Sequence, residues 1–466
     1  MNKNLKTITP FVIGIFLSTL NSPKSLDESA FYMFIIFICV ITSILIRSFP
    51  MAVSVLSGLS IAILFKVISL KEALGGYGNS STWLVTIAFL LSGIIIDSGL
   101  GKRISLLCIN FFGKTVIGIG YAICIAELIL GPLVPSVTAR GGGILAPIVK
   151  SISKTLGSYP EKSPEISGRY LHLVGAHANM ITGAMFLTGM AANPLVSEAA
   201  KDIFNIEFDW LTWAYGSIVP GIISLFLLPI FIKYLSKPEI KETKQIRNEV
   251  KEQLKSIGKW SKNEIIISFV LISMLILWIS KPIHGFGTTT VALFGLVILL
   301  LSKTVSWDQM TKNHKAWDSL IWLGGLITLA TSLKNTGFIE WFASNIQYLV
   351  QDFSPVLILI VVGIIYFYSM YFFSMLTAHI AAFIGAIFLI FSNSTLNPFL
   401  IVGTIGYFSN LCGCLTNYSS GPIIIYFGNG YVTAPSWFKF GFIISIYHLI
   451  IWIGIGSIWW KLIGWL

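Results

Sequence analysis

Apolar residues arrive in long blocks along this chain, and the polar residues collect in short stretches between them. Phe31 to Ile46, Met51 to Leu70, Trp83 to Ile96, Ala214 to Ile232, Ile265 to Ile279, Thr290 to Leu301, Pro355 to Phe373 and Phe438 to Trp460 are all nearly uninterrupted. Crossing a bilayer takes roughly 20 apolar residues wound as helix. The blocks therefore predict an all-α polytopic membrane protein of about eleven spans, with two further segments that do not fit a simple crossing.

Those two segments are related by an internal repeat. An offset of 238 residues sets Asp97-Ser98-Gly99-Leu100 on Asn335-Thr336-Gly337-Phe338, and an offset of 239 sets Thr138-Ala139-Arg140 on Thr377-Ala378-His379. With 238 again, Asn179, Thr182 and Gly183 fall on Asn417, Ser420 and Gly421. A near-constant offset over so long a stretch predicts a duplicated chain. In the first copy the apolar arms Thr115 to Leu130 and Ala139 to Val149 would reach only ~24 and ~16 Å as helices. Gly131, Pro132, Pro135 and the triplet Gly141 to Gly143 punctuate the turn. This predicts a re-entrant hairpin at about 115–150, with a counterpart at about 355–392, whose tips line a cavity because bare backbone cannot face lipid.

The composition agrees with a lipid setting: 55% hydrophobic, 11% charged, mean hydropathy +0.82. The net charge of +11 is topological in its distribution. With the N-terminus in the cytoplasm, Lys3, Lys6, Arg47, Lys102, Arg103, Lys114, Lys150, Lys154, Lys162, Arg169, the run from Lys233 to Lys262, and Lys303, Lys312 and Lys315 all fall inside. Few basic residues remain outside, so no nucleic-acid partner is expected. The loop after the first hairpin is basic and Ser392 to Pro398 after the second is uncharged, which predicts that the copies have opposite topology. Transporters of that architecture hold substrate between the repeats near the midplane. Met1 to Leu20 lacks a small-residue cleavage site and reads as the first span, and no Arg-rich presequence precedes it, which points to a bacterial inner membrane. Cys39, Cys108, Cys124, Cys412 and Cys414 show no metal-ligand spacing, and no metal or cofactor is expected. The run Lys233 to Glu264 reads as a solvated linker or an amphipathic surface helix, and Trp452, Trp459 and Trp460 as an interfacial belt.

Arg140 carries the most information, because a guanidinium at mid-bilayer costs ~2.5 to 3.5 kcal/mol on insertion scales. Beside Ser136 and Thr138 at the start of a half-helix it reads as a clamp for a carboxylate; a fixed ion pair, for instance with Asp97, is the other reading. His379, beside Thr377, holds the equivalent place in copy two and reads as a donor to a second carboxylate or as a satisfied core histidine. His177 divides evenly between packing and binding. Asn179, Thr182, Gly183 and Asn193, with Asn417, Ser420, Gly421 and Pro422, read as unwound mid-membrane segments exposing amides and hydroxyls, or as glycine-lined helix crossings. An intramembrane enzyme would need a His-Glu-x-x-His, paired aspartates or a Gly-x-Ser-x-Gly elbow, and none is present. A channel would need a continuous polar stripe in place of duplicated breaks.

The strings GPLVPSVTARGGG from Gly131, GAMFLTGMAANPL from Gly183, LTAH from Leu376, FSNLCGCLTNYSSGP from Phe408 and YFGNGYV from Tyr426 resemble the divalent anion:sodium symporter family. Within it they are similar to the branch of bacterial citrate/succinate antiporters and plastid 2-oxoglutarate/malate translocators. The resemblance implies eleven spans and two hairpins, a scaffold and a moving transport domain, a homodimer, and small dicarboxylates held by hairpin tips and broken helices. It divides the chain into scaffold helices 1–82, a first repeat 83–200, scaffold helices 201–316 with the charged linker 233–264, a second repeat 317–432 and a last span 433–466. In the sodium-coupled branch both tips carry Ser-Asn-Thr; here the first reads Ser136-Val137-Thr138 and the second Ala378-His379-Ile380. The missing asparagines imply exchange without sodium, with Arg140 and His379 standing where cations would bind.

Overall fold

Helix ends are fixed by short polar side chains at the edges of the apolar blocks, where they satisfy the free N–H groups of a first turn. In the computed structural model, which describes residues 3–350 and 353–466, Asp27, Asn79, Thr115, Asp209, Ser261 and Asn397 each accept a hydrogen bond from the opening turn of the helix that follows. Among the described residues every regular element is helical.

The chain opens with α1 (Lys3–Ser18), α2 (Glu28–Leu45) and α3 (Met51–Leu64). Then comes α4 (Ser80–Asp97), and Gly99, in the left-handed region at φ 74°, turns the chain into α5 (Leu100–Phe112). A helical hairpin follows, made of α6 (Val116–Leu130), a turn, a π-helical stretch Thr138–Leu145 and α7 (Ala146–Thr155). A broken helix completes the unit: α8 (Gly168–Met185), an unwound segment and α9 (Asn193–Phe204). After α10 (Trp210–Ser236), α11 (Lys244–Ile257), α12 (Lys262–Ile279) and α13 (Thr288–Leu301) the same order returns. It runs through α14 (His314–Asn335), Gly337 at φ 84°, α15 (Phe338–Val350), the hairpin α16 (Pro355–Ser369) and α17 (Leu376–Ile390), and the broken pair α18 (Pro398–Leu411) and α19 (Gly421–Gly428). The chain closes with α20 (Ala434–Leu449), a π-helical turn Ile450–Ile455 and α21 (Gly456–Leu462). Both left-handed glycines sit where the internal repeat aligned them, a conformation that costs glycine nothing and other L residues more.

Among the described residues eight helical stretches are long and apolar enough to cross a membrane, including α2, α4, α10, α12 and α14. The second hairpin arm is longer than expected: the π-helical stretch and α7 together carry it to Thr155 instead of Val149. The charged run after α10 contains a true amphipathic helix, α11, whose Ile246 and Val250 are buried. It packs beside α5, so this segment is more than a solvated linker.

One register of the repeat changes. α8 spans Gly168 to Met185, and its counterpart runs from Pro398 through a 3₁₀ turn to Leu415, an offset of 230 at both ends. Asn179, Thr182 and Gly183 thus correspond in space to Ser409, Cys412 and Gly413, and the match to Asn417, Ser420 and Gly421 at 238 is a coincidence of composition. The cause is length. Copy one has a longer second arm, and its connection over 156–167 is longer than 391–397 in copy two.

Candidate functional site

Arg140 lies in the π-helical stretch of the first hairpin, with its side chain fully buried. A buried guanidinium is tolerable only when its charge and all its N–H groups are met. Both conditions hold. Nε binds Glu127 Oε2 at 2.6 Å; Nη1 donates to the carbonyls of Val134 (2.7 Å) and Gly189 (3.1 Å); Nη2 donates to Thr182 Oγ1 (3.1 Å) and the Asn179 carbonyl (3.4 Å). Glu127, in the last turn of α6, also accepts from Asn179 Nδ2 at 3.0 and 3.1 Å and from Thr182 Oγ1 at 3.1 Å. The free cation expected at this tip is therefore corrected to one half of a closed ion pair, and the partner is Glu127, not Asp97. Arg140, Asn179 and Thr182 do come together, but around a protein carboxylate.

Copy two repeats this cell with aromatic rings in place of the ion pair. An offset of 239 relates Glu127 to Tyr366 and Arg140 to His379. The rings of Tyr366 and His379 stack with centroids 4.3 Å apart and 20° between planes. Ser409, in the place of Asn179, meets Tyr366 Oη at 2.8 Å. His379 Nε2 lies 2.8 Å from Ser369 Oγ, Phe373 and Phe383 close around the ring, and Nδ1 is buried without a partner. Arg140 and His379 share none of these partners, so they occupy two separate packing cells rather than the walls of one cationic pocket.

The remaining expected residues divide by depth. Ser136, Gly183, Ser420 and Pro422 are buried, whereas Thr138, Thr377, Asn417 and Gly421 retain exposure. Ser136 Oγ accepts from the Ala139 N–H at 3.2 Å and so closes the hairpin turn. Thr138 packs on Gly421: a Cβ there would sit 2.1 Å from Thr138 Oγ1, so only glycine permits the approach. Gly141 and Gly142 are likewise pressed on Asn179 and on Ile425 of α19, and Gly183 on Asn410 and Val137. The triplet thus serves close packing as well as turning. Asn193 bridges the copies: its Nδ2 donates to the carbonyls of Gly183 and Phe186 at 2.9 Å, and its Oδ1 accepts from Asn410 Nδ2 at 2.8 Å. His177 stands beside Trp437 with neither ring nitrogen bonded, which places it in packing.

The unwound segment of copy two joins the two hairpins. On one side the Leu376 N–H, at the start of the second hairpin's returning arm, donates to the Ser419 carbonyl at 3.0 Å. On the other, Gly421 receives Thr138 from the first hairpin's tip. Ser420 Oγ also lies 3.9 Å from Met180 Sδ of α8. Half-buried Thr138, Thr377 and Asn417 lie in or beside the segments that these contacts join, to which hairpins and breaks both contribute. Sequence reasoning missed Glu127, Tyr366 and Asn410. Glu127 carried a signal, as the lone carboxylate in an otherwise apolar arm.

Residues 1–466 match the family model described as the sodium:sulfate symporter transmembrane region. The chain is 38% identical over 453 residues to the putative malate transporter YflS of Bacillus subtilis, covering 97% of this chain and 95% of that one. It is 34% identical over 460 residues to chloroplastic dicarboxylate transporter 1 of Spinacia oleracea, covering 98% and 81%. It is also 34% identical over 482 residues to the inner membrane protein YbhI of Escherichia coli, covering 100% and 99%. Among solved structures, the Alcanivorax borkumensis YdaH transporter aligns over 99% of this chain and 97% of its own with a TM-score of 0.57 at 12% identity, a likeness of fold.

Proposed function

The chain belongs to the family of the sodium:sulfate symporter transmembrane region, the divalent anion:sodium symporters, and from that membership we propose that it exchanges short organic dicarboxylates across a bacterial inner membrane. It is a multi-pass membrane transporter and not an enzyme. The dicarboxylate class rests on relatives named malate and dicarboxylate transporters at 34 to 38% identity.

One observation carries the site: the segment Ser419 to Gly421 touches the returning arm of one hairpin and the tip of the other. A dianion there meets the hydroxyls of Thr138, Thr377 and Ser420, the amide of Asn417, and the N-terminal ends of α17 and α19, whose partial positive charge favours carboxylates. In this reading Arg140 does not touch substrate. With Glu127, Asn179 and Thr182 it fixes the first tip, as Tyr366, His379 and Ser409 fix the second. Gly183 and Pro422 shape the surrounding backbone.

We assign eleven crossings by counting each broken pair as one, with the N-terminus in the cytoplasm and the hairpins entering from opposite faces, as the basic residues indicate. The hairpins and broken helices form the moving body, the other spans a scaffold that pairs with a second copy, and transport follows an elevator mechanism. A dianion moving alone across ~100 mV gains or loses ~4.6 kcal/mol, twice the ~2.3 per unit charge. Exchange of dianion for dianion cancels that term without a cation. Tips lacking the Ser-Asn-Thr motif fit exchange, whereas the family's description favours sodium-coupled symport as the second reading. Counterflow of malate, succinate, 2-oxoglutarate and citrate in sodium-free proteoliposomes separates them. Exchange should run at full rate, and uptake that needs a sodium gradient and no internal acid would establish symport.

A further inference from the structure

α9 carries two carboxylates, Glu198 and Asp202, one turn apart on the same face. Both reach across to elements outside the hairpins and broken helices. Glu198 Oε2 accepts from Asn79 Nδ2 at 3.0 Å and its Oε1 from Ser81 Oγ at 2.6 Å, at the opening of α4. Asn79 uses its oxygen at the same time to cap α4, so the carboxylate sits on that helix's free N–H end, where a negative charge is favoured. Asp202 accepts from Thr331 Oγ1 at 3.4 Å and lies 3.8 Å from Lys334 Nζ, both in the last turns of α14.

The rest of this boundary is of a different kind. α4, α14 and the turn 75–78 are locked together: a Cβ at Gly76 would lie 2.0 Å from the Gly324 carbonyl, and the Gly76 N–H donates to Thr328 Oγ1 at 3.0 Å. α9 packs most heavily on α17, and it also touches α18, α14 and α4. Between these two bodies lies a mostly apolar cavity of about 170 Å³, lined by Ala381, Ala382 and Gly385 of α17, by Phe34 and Phe37 of α2 and Phe338 of α15, and by Glu198 and Asp202 themselves. Small residues opposite large ones across unfilled volume make a boundary that can slide, unlike an interdigitated core. Besides the contacts of Glu198 and Asp202, Arg47 Nη2 crosses from the end of α2 to the second hairpin, donating to the Ser374 carbonyl at 3.2 Å.

We propose that Glu198 and Asp202 form a latch that holds the transport body in one of its end positions, and that both contacts must break each time substrate crosses. This rests on the elevator reading above. Displacing α9 by one helical turn, about 5.4 Å, carries both carboxylates beyond hydrogen-bond reach of their partners. A carboxylate on a helix terminus and a loose ion pair are each weak enough to be remade every cycle.

The test bridges Ser81→Cys to Glu198→Cys with a short bifunctional methanethiosulfonate, with the half-buried Cys39 replaced by serine. Thr331→Cys with Asp202→Cys makes a second, independent pair. Bridging should stop malate counterflow in proteoliposomes, and dithiothreitol should restore it. Single-cysteine controls given the same reagent should keep exchanging. Full exchange by the bridged protein, absence of bridging in both pairs, or equal arrest of the single-cysteine controls overturns the latch. A readout that needs no substrate separates this from a wrong assignment of cargo. A Thr138→Cys reporter should react with membrane-impermeant thiol reagents from one side only when bridged and from both sides after reduction. Two-sided labelling in the bridged protein sinks the latch, while one-sided labelling in the bridged protein together with no malate exchange by the reduced protein that keeps Thr138 sinks the cargo and leaves the latch.

Discussion

Arg140 and His379 show how one duplicated position reaches two electrostatic solutions. In copy one the charged guanidinium is matched by Glu127, and in copy two the cell is built from two stacked rings, Tyr366 and His379. Removing one partner from a buried ion pair leaves an uncompensated charge, which costs about 3 to 5 kcal/mol. Glu127→Gln and Arg140→Gln are each expected to lower the melting temperature of the purified protein sharply. Replacing both with methionine should recover most of the loss, since apolar residues of similar size often substitute for a buried pair at no cost. If the Arg140→Gln protein keeps wild-type stability and loses only substrate affinity, the guanidinium binds substrate after all.

Helices in this chain are specified by their ends. The apolar blocks give no sharp boundary, and the caps at Asn79, Thr115 and Asp209 supply it. The breaks matter most for function, because an unwound segment inside lipid survives only where protein or a cavity meets its backbone. Gly421 is the clearest case, placed where Thr138 leaves no room for a side chain. Gly421→Ala should force the first hairpin tip away from α19, with a strain cost of about 1 to 3 kcal/mol, and abolish exchange. Adding Thr138→Gly should restore stability, while exchange should stay low because the hydroxyl is gone. Wild-type exchange by Gly421→Ala would mean that the two elements part in the working protein.

Considered as a whole, the molecule has one tightly locked group of helices, α3, α4 and α14, and another in which α9, α17 and α18 pack together, with an apolar cavity and the proposed latch between them. If the moving body carries a neutral cell in one copy and a closed ion pair in the other, it contributes no net charge of its own at these positions. In the proposed exchange a dianion travels in one direction and a dianion returns. The rate of malate-for-malate exchange should then be unchanged by a potassium diffusion potential imposed with valinomycin. A rate that follows the imposed potential would require a carried cation.

The hydrophobic blocks by themselves determined that this chain is a bundle of membrane-length helices, and the recurring Gly99/Gly337 and Arg140/His379 positions determined its duplication, because burial in lipid and left-handed turns both act on residues locally. Local rules could not reach further. Glu127 and Arg140 are brought together only by the hairpin turn, and Asn193 meets Asn410 from the other repeat. The offset of the broken helices slipped because connection length, which hydropathy leaves unconstrained, differs between the copies. Whether a buried charge is free or spent depends on what the fold places within about 3 Å of it, and that distance is set by packing, not by the order of residues.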